Sequence, residues 1–240
     1  MELKSIIEQS DNIVFFGGAG VSTESGIPDF RSPSGIYACK DIYGVEPEHI
    51  LSHGYFLSET EMFYEFYKNS MIYENAKPND AHIALAKLEK AGKLKAVITQ
   101  NIDGLHQLAG SKNVLELHGS IQRNYCVSCG AFYDLNYVTG SKGISRCKAC
   151  NGIVKPDVVL YGEPVDEAVI TKSIKAIEEA EVLIIGGTSL SVYPAAGFIR
   201  YFKGKVLVLI NKGTTAYDNE VDLLIRDNIG KVLKEAVKGE

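Results

Sequence analysis

No apolar run in this 240-residue chain approaches the ~20 residues that a membrane-spanning helix needs. The longest, Ile13–Val21, is broken by Gly17, Gly18 and Gly20. The first stretch, MELKSIIEQSDN, carries charges throughout and lacks an apolar core, so no secretory signal is expected and the cytoplasm is the expected compartment. A basic excess is also missing. Lys and Arg number 25 against 30 Asp and Glu, a formal charge of −5. Binders that track nucleic-acid phosphates carry the opposite balance, so general nucleic-acid binding is disfavoured. Internal repeats and low-complexity tracts are absent. What remains is ordinary for a soluble globular chain: 45% apolar and 23% charged residues. A chain of this length buries roughly 70% or more of its unfolded surface.

Four of the five cysteines form two tight pairs. Cys126-x2-Cys129 and Cys147-x2-Cys150, with seventeen residues between the pairs, have the spacing of a four-thiolate zinc site. In a reducing compartment such pairs hold metal more often than they form disulfides. Four thiolates close the zinc tetrahedron and leave no position for a reactive water, so a structural Zn2+ is expected. Cys39 is left over and reads as a small loop hydrophobe.

Short apolar strands alternate with helices along the rest. Strands are predicted at Ile13–Phe16, Leu94–Ile98, Val114–Leu117, Val182–Gly186 and Val206–Ile210, and Val158–Tyr161 reads as extended. Helices are predicted at 2–10, 80–91, 166–180 and 228–238. In the second of these, Asp80 reads as N-cap and Ile83, Leu85 and Leu88 as the buried stripe. Residues 24–54 read as a long loop, which in a compact domain is usually functional. The aromatics of 55–75 read mostly as packing of a helical layer. The alternation implies an α/β fold, a Rossmann-like doubly wound parallel sheet. Residues 1–39, 76–120 and 155–240 would form it. A helical insertion at 40–75 and a zinc module at 121–154 would form a smaller domain.

In such a sheet ligands bind at the carboxyl ends of the strands, and every strand end here carries small or polar groups. The first is followed by Gly17-Gly18-Ala19-Gly20, which admits a phosphate to backbone N–H groups. A dehydrogenase fingerprint would have a third glycine at the place of Thr23 and an acid ending a second strand. Neither is present; Gly26-Ile27-Pro28-Asp29-Phe30-Arg31 intervenes. The second strand leads to Gln100, Asn101 and Asp103, the third to His118, the fourth to Gly187-Thr188-Ser189, and the fifth to Asn211. Of five histidines, His118 alone directly follows a strand, which makes it the general-base candidate. His82 reads as structural, His106 as part of the helix after Asp103, and His49 and His53 as uninformative.

At this point the chain resembles the sirtuin family of NAD-dependent protein lysine deacylases. The resemblance rests on Gly18-Ala19-Gly20-Val21-Ser22-Thr23-Glu24-Ser25-Gly26-Ile27-Pro28-Asp29-Phe30-Arg31. It continues through Thr99-Gln100-Asn101-Ile102-Asp103-Gly104-Leu105-His106 and Glu116-Leu117-His118-Gly119. The cysteines, Lys155–Glu163 and Gly187–Ala196 follow in the family's order. Gly17 stands where members often have Thr, and Lys155 and Tyr161 where Arg and Phe are more usual.

The resemblance implies a deacetylase that consumes NAD and yields deacetylated lysine, nicotinamide and O-acetyl-ADP-ribose. His118 would be the base, with Asn101 and Asp103 as its catalytic partners. Ala19, Gly20, Thr23, Phe30, Arg31, Gln100, Ile102, Gly187, Thr188, Ser189, Asn211, Lys212 and Ile229 would line the NAD site with these three. Phe30 and Val159 would flank the acyl-lysine tunnel. Backbone of Gly162–Glu163 and Ser191–Val192 would hold an acetyl-lysine peptide as an added β-strand between the domains. Members that take succinyl or malonyl groups carry a Tyr with an Arg three residues later. The matching stretch here, Phe66–Ser70, has Tyr67 but Ser70 in place of that Arg, which implies acetyl or another uncharged acyl group. Two alternatives stay open: ADP-ribosyl transfer from the same site, and a non-catalytic zinc-containing module that reads acyl-lysine or nucleic acid.

Overall fold

The computed structural model describes residues 2–30, 35–36 and 43–238. Arg31 and Cys39 lie outside the described residues.

The apolar runs become strands because both of their faces are covered. Ile13–Gly17 (β1) and Val182–Gly186 (β7) are buried at all five positions. They are neighbours in a six-stranded sheet with Leu94–Thr99 (β2), Val114–Glu116 (β3), Val206–Ile210 (β8) and Leu223–Ile225 (β9). The order is β3-β2-β1-β7-β8-β9, parallel at every pairing. The chain moves outward from β1 through β3, then returns to lay β7 against the other side of β1. That reversal opens a crevice at the carboxyl ends, where Gly17 lies in register with Gly186. Side chains alternate between two cores. Phe15 and Ile184 meet Leu85, Leu88 and Leu233 on one face. Val14, Phe16 and Leu183 meet Ile177, Phe198 and Leu209 on the other.

A second, antiparallel sheet is built from Gly119–Cys126 (β4), Phe132–Asp134 (β5) and Val154–Val158 (β6), in the order β5-β4-β6. The predicted extended segment at 158–161 therefore lies mostly earlier, at β6. The sheet also extends beyond the expected zinc-module limits of 121 and 154. Its core is shared with the helices His53–Ser58 and Thr60–Phe66. Phe56, Phe63, Tyr64, Phe66 and Tyr67 pack there with Ile121, Val138 and Val154. Phe56 and Phe63 meet edge-on at 5.0 Å between centroids. The predicted loop at 24–54 includes structured pieces, among them a short helix at Pro47–Ile50.

The helix Asp80–Lys90 shifts two expectations by one turn position. Asn79, not Asp80, is the N-cap: its side chain accepts from the Ala81 N–H at 2.9 Å, and the His82 Nδ1 accepts in return from the Asn79 N–H at 3.2 Å. Asp80 points outward to Lys234, 2.9 Å away. Ile83 is 44% exposed, because the buried stripe runs through Ala81, His82, Ala84, Leu85 and Leu88. Among the described residues no helix is long and apolar enough to cross a membrane.

Candidate active site

The crevice is shaped by backbones that touch. The Gly20 N–H donates to the Gly187 carbonyl at 2.8 Å. A Cβ on Gly20 would lie 2.8 Å from the Gly187 Cα, and Gly187 itself has φ of +59°, so neither position has room for a side chain. The turn after β1 is thereby seated against the turn after β7, with their surfaces open to a ligand.

Below it runs a chain of polar groups. The Asn101 Nδ2 donates to the Ser22 Oγ at 3.0 Å, and the Ser22 hydroxyl donates to the Asp103 Oδ2 at 2.7 Å. The other carboxylate oxygen of Asp103 accepts from the Leu105 N–H at 2.8 Å. Burial pushes the Asp103 carboxyl above its ordinary value, and the two hydrogen bonds oppose that rise. Gln100 donates from Nε2 to the Thr188 hydroxyl at 3.2 Å, tying the second strand end to the fourth.

His118 sits in the turn between β3 and β4, two residues beyond Glu116 rather than immediately after the strand. Its Nδ1 lies 3.0 Å from the Gln100 carbonyl. A carbonyl oxygen only accepts, so Nδ1 carries the proton and Nε2 keeps its lone pair. Burial lowers the imidazole pKa, against the Gln100 bond that raises it. The ring is thus held neutral, in the tautomer a base requires. The Val159 N–H donates to the His118 carbonyl at 3.0 Å. Next in sequence, Gly119 has φ of +74°, and a Cβ there would lie 1.9 Å from the Asp157 carbonyl oxygen. Only glycine lets β4 leave so tightly behind the histidine.

Two cavities meet at this histidine. One, of about 740 Å³, is lined by Gly18, Ala19, Gly20, Thr23, Gly187, Thr188, Ser189, Asn211, Lys212 and Ile229. The other, of about 720 Å³, is lined by Ile102, Asp103, Val159, Gly162 and Glu163, and by apolar residues of the second core. Phe30, Gln100, Asn101, His118 and Val192 line both. The predicted site residues are therefore brought together along one cleft, with two exceptions. Ser191 lines neither cavity; its hydroxyl lies 2.7 Å from that of Ser189. Arg31 is outside the described residues. Tyr67 lines the second cavity and Ser70 does not.

The four predicted cysteines also converge. Cys126 and Cys150 have their sulfurs 3.4 Å apart, Cys129 and Cys147 3.6 Å, and all four lie within 4.8 Å of one another. Zinc–sulfur bonds of about 2.3 Å in a tetrahedron set sulfurs about 3.8 Å apart, so the cluster fits one structural Zn2+. The Tyr133 hydroxyl donates to the Cys147 sulfur at 3.2 Å and orients it from outside.

Three residues that bond to site residues have no strong signal in the sequence. Ser22 is one small residue inside the glycine-rich motif, yet it links Asn101 to Asp103. His53 and Lys155 both reach the Glu163 carboxylate, at 2.7 and 3.0 Å, and the Leu160 N–H donates to it at 2.9 Å. Burial raises the Glu163 pKa, but these three partners bring it below its usual value. The only sequence signal was a polar residue at the end of an extended segment.

Comparison with known proteins matches this geometry to its relatives. The model of the Sir2 family matches residues 18–194. An NAD-dependent protein deacetylase of Clostridium acetobutylicum is 63% identical over 237 residues, 98% of this chain and 97% of that protein. The one of Cutibacterium acnes is 48% identical over 232 residues, 97% and 95% of the two chains. A solved structure of Sir2 with a p53 peptide and NAD+ superposes with a TM-score of 0.86 at 36% identity, covering 99% of this chain and 98% of that one. Sir2Tm bound to a propionylated peptide gives 0.85 at 36% identity with the same coverage.

Proposed function

The chain belongs to the Sir2 family, and on that premise we propose that it is an NAD-dependent protein lysine deacetylase. With NAD and one water it converts acetyl-lysine in a protein to deacetylated lysine, releasing nicotinamide and O-acetyl-ADP-ribose. The observation that carries the reading is the His118–Gln100 hydrogen bond at the junction of the two cavities, which leaves Nε2 free to take a proton.

The chemistry that bound NAD supplies is an electrophilic ribose carbon, strong enough to be captured by an amide oxygen. The residues divide the remaining work. Gly20 and Gly187 admit the phosphates to the backbone, while Thr188, Ser189, Asn211, Lys212 and Ile229 line the adenosine side. Asn101, Ser22 and Asp103 face the nicotinamide, and Asp103 holds its amide. Phe30, Ile102 and Val159 exclude water from the acyl-lysine channel. His118 takes a ribose hydroxyl proton at Nε2 so that the oxygen can attack the former acetyl carbon. Backbone groups of Gly162–Glu163 and Ser191–Val192 hold the peptide as an extra strand between the two sheets. The parallel sheet and its helices form the dinucleotide part, and the antiparallel sheet, with β4 from Gly119 and β6 to Val158, forms the smaller part with the helices packed on it. A cytoplasmic location suits the cluster, since reducing conditions keep the four thiols available for zinc.

The test is mass spectrometry of an acetyl-lysine peptide incubated with the zinc-loaded protein, with and without NAD. Loss of the acetyl group's mass is expected only with NAD, together with nicotinamide and O-acetyl-ADP-ribose. Turnover without NAD, or undiminished turnover by His118→Ala, would sink the reading.

A further inference from the structure

The glycine-rich turn and the start of the helix Ile229–Ala236 both line the cavity of about 740 Å³. One side chain crosses between them. Glu24, in the single helical turn Thr23–Ser25, accepts at Oε1 from the Gly230 N–H at 2.9 Å, across 206 residues of sequence. Gly230 is the second residue of the helix Ile229–Ala236. The helix's own N-cap residue, Asn228, makes no side-chain cap bond. Glu24 therefore does from a distance what a local cap usually does. The fit is close: a Cβ on Gly230 would lie 2.7 Å from the Glu24 Oε2. Just before it, Ile229 is pressed onto the end of β7, where a Cβ on Gly186 would lie 2.1 Å from its Cδ1.

The turn is also held from its other side. The Asn79 Nδ2 donates to the Val21 carbonyl at 2.7 Å and to the Ser25 hydroxyl at 3.0 Å. With that side anchored to the helix Asp80–Lys90, the carboxylate of Glu24 sets how far the turn stands from Ile229.

We propose that Glu24 is a positioning residue for the dinucleotide, fixing the spacing between the phosphate-side turn and the adenine-side helix. The proposal rests on the reading of the cleft as the NAD site. Glu24 lines the cavity as well, and it acts through the Gly230 N–H that its carboxylate holds and through Ile229 beside it. A cleft whose walls are already at their working distance spares the bound state the ordering of both walls. Removing the clamp weakens dinucleotide binding and leaves the chemical step alone.

The experiment is calorimetric titration of NAD into the full chain, with steady-state kinetics for NAD and for an acetyl-lysine peptide. Glu24→Ala is expected to weaken NAD binding about three- to tenfold, the ratio one lost helix cap corresponds to. Its kcat at saturating NAD and its KM for the peptide stay at wild-type values. Glu24→Gln recovers most of the affinity, because its amide oxygen still accepts from the Gly230 N–H. Gly230→Ala, whose Cβ intrudes on the carboxylate, weakens NAD binding as Glu24→Ala does, although Ala favours a helix and holds the melting temperature. Wild-type affinity in Glu24→Ala overturns the proposal, as does a common decline of kcat, both KM values and melting temperature. A wild-type protein that binds no NAD overturns the reading of the cleft itself, a separate result.

Discussion

The histidines of this protein show how environment divides one residue type into different jobs. His118 keeps one hydrogen-bonded nitrogen and one free nitrogen at a cleft junction. His82 and His106 instead face each other in the core, 4.7 Å between centroids, and are 0% and 1% exposed. Burial holds His82 down to about 4, and burial with the neighbouring His82 holds His106 down to about 3. In the unfolded chain both titrate near 6.5. Their contribution is therefore fully present above about pH 6.5 and is lost as pH falls from there toward 4 and 3, because the unfolded chain takes up protons that the folded one refuses. At pH 5 the loss is about 2 kcal/mol for each histidine relative to neutral pH. Urea midpoints at pH 7.5 and pH 5 check this. The difference between the two should shrink in His106→Phe, and an equal difference in both proteins would contradict the assignment. The same scale explains what could be read in the sequence. His118 was legible because it follows a strand that ends at the cleft. Ser22, His53 and Lys155 were not, because their partners come from segments 81, 110 and 8 residues away and only folding brings them together.

The elements were legible where both faces are buried and illegible where a single residue sets the phase. β1, β7 and β8 are short apolar runs that no helix of ordinary length would contain. The helix start at Asn79 was missed because Asn79 and Asp80 are both capable caps, and only the backbone decides which one turns inward. Ile83 followed from that same shift. In the second sheet the cysteines at the end of β4 and around Cys147–Cys150 hold together strands of three to eight residues. Such short strands have little independent stability. Stripping zinc with a chelator is expected to melt this sheet and lower the thermal midpoint of the protein by several degrees, with zinc re-addition restoring it. Cys147→Ser should reproduce the chelated state. An unchanged midpoint after complete zinc removal, verified by metal analysis, would refute a stabilising role for the ion.

On the scale of the whole molecule, the cleft lies between two sheets with separate cores, and its lining decides what enters. Among the described residues no Lys or Arg lines the cavity of about 720 Å³. An acyl group that ended in a carboxylate would be desolvated there without a cationic partner, at a cost of a few kcal/mol. Succinyl-lysine peptide should therefore be turned over at least about a hundredfold more slowly than the acetyl-lysine peptide in kcat/KM. Comparable rates would mean that a cation reaches the acyl group. The strand order has a further consequence, in the time it takes to make the protein. β1 is complete at residue 17, but its partner β7 is not complete until residue 186. The nascent chain leaves the ribosome with Val14, Phe15 and Phe16 on a strand that can pair only with β2, at 94–99, until most of the protein exists. The second sheet closes earlier, with β6 ending at Val158. Translation therefore finishes the smaller sheet before the larger one, although the larger began first: β7 inserts beside a strand that has waited since the start, and β8 and β9 then add beyond it.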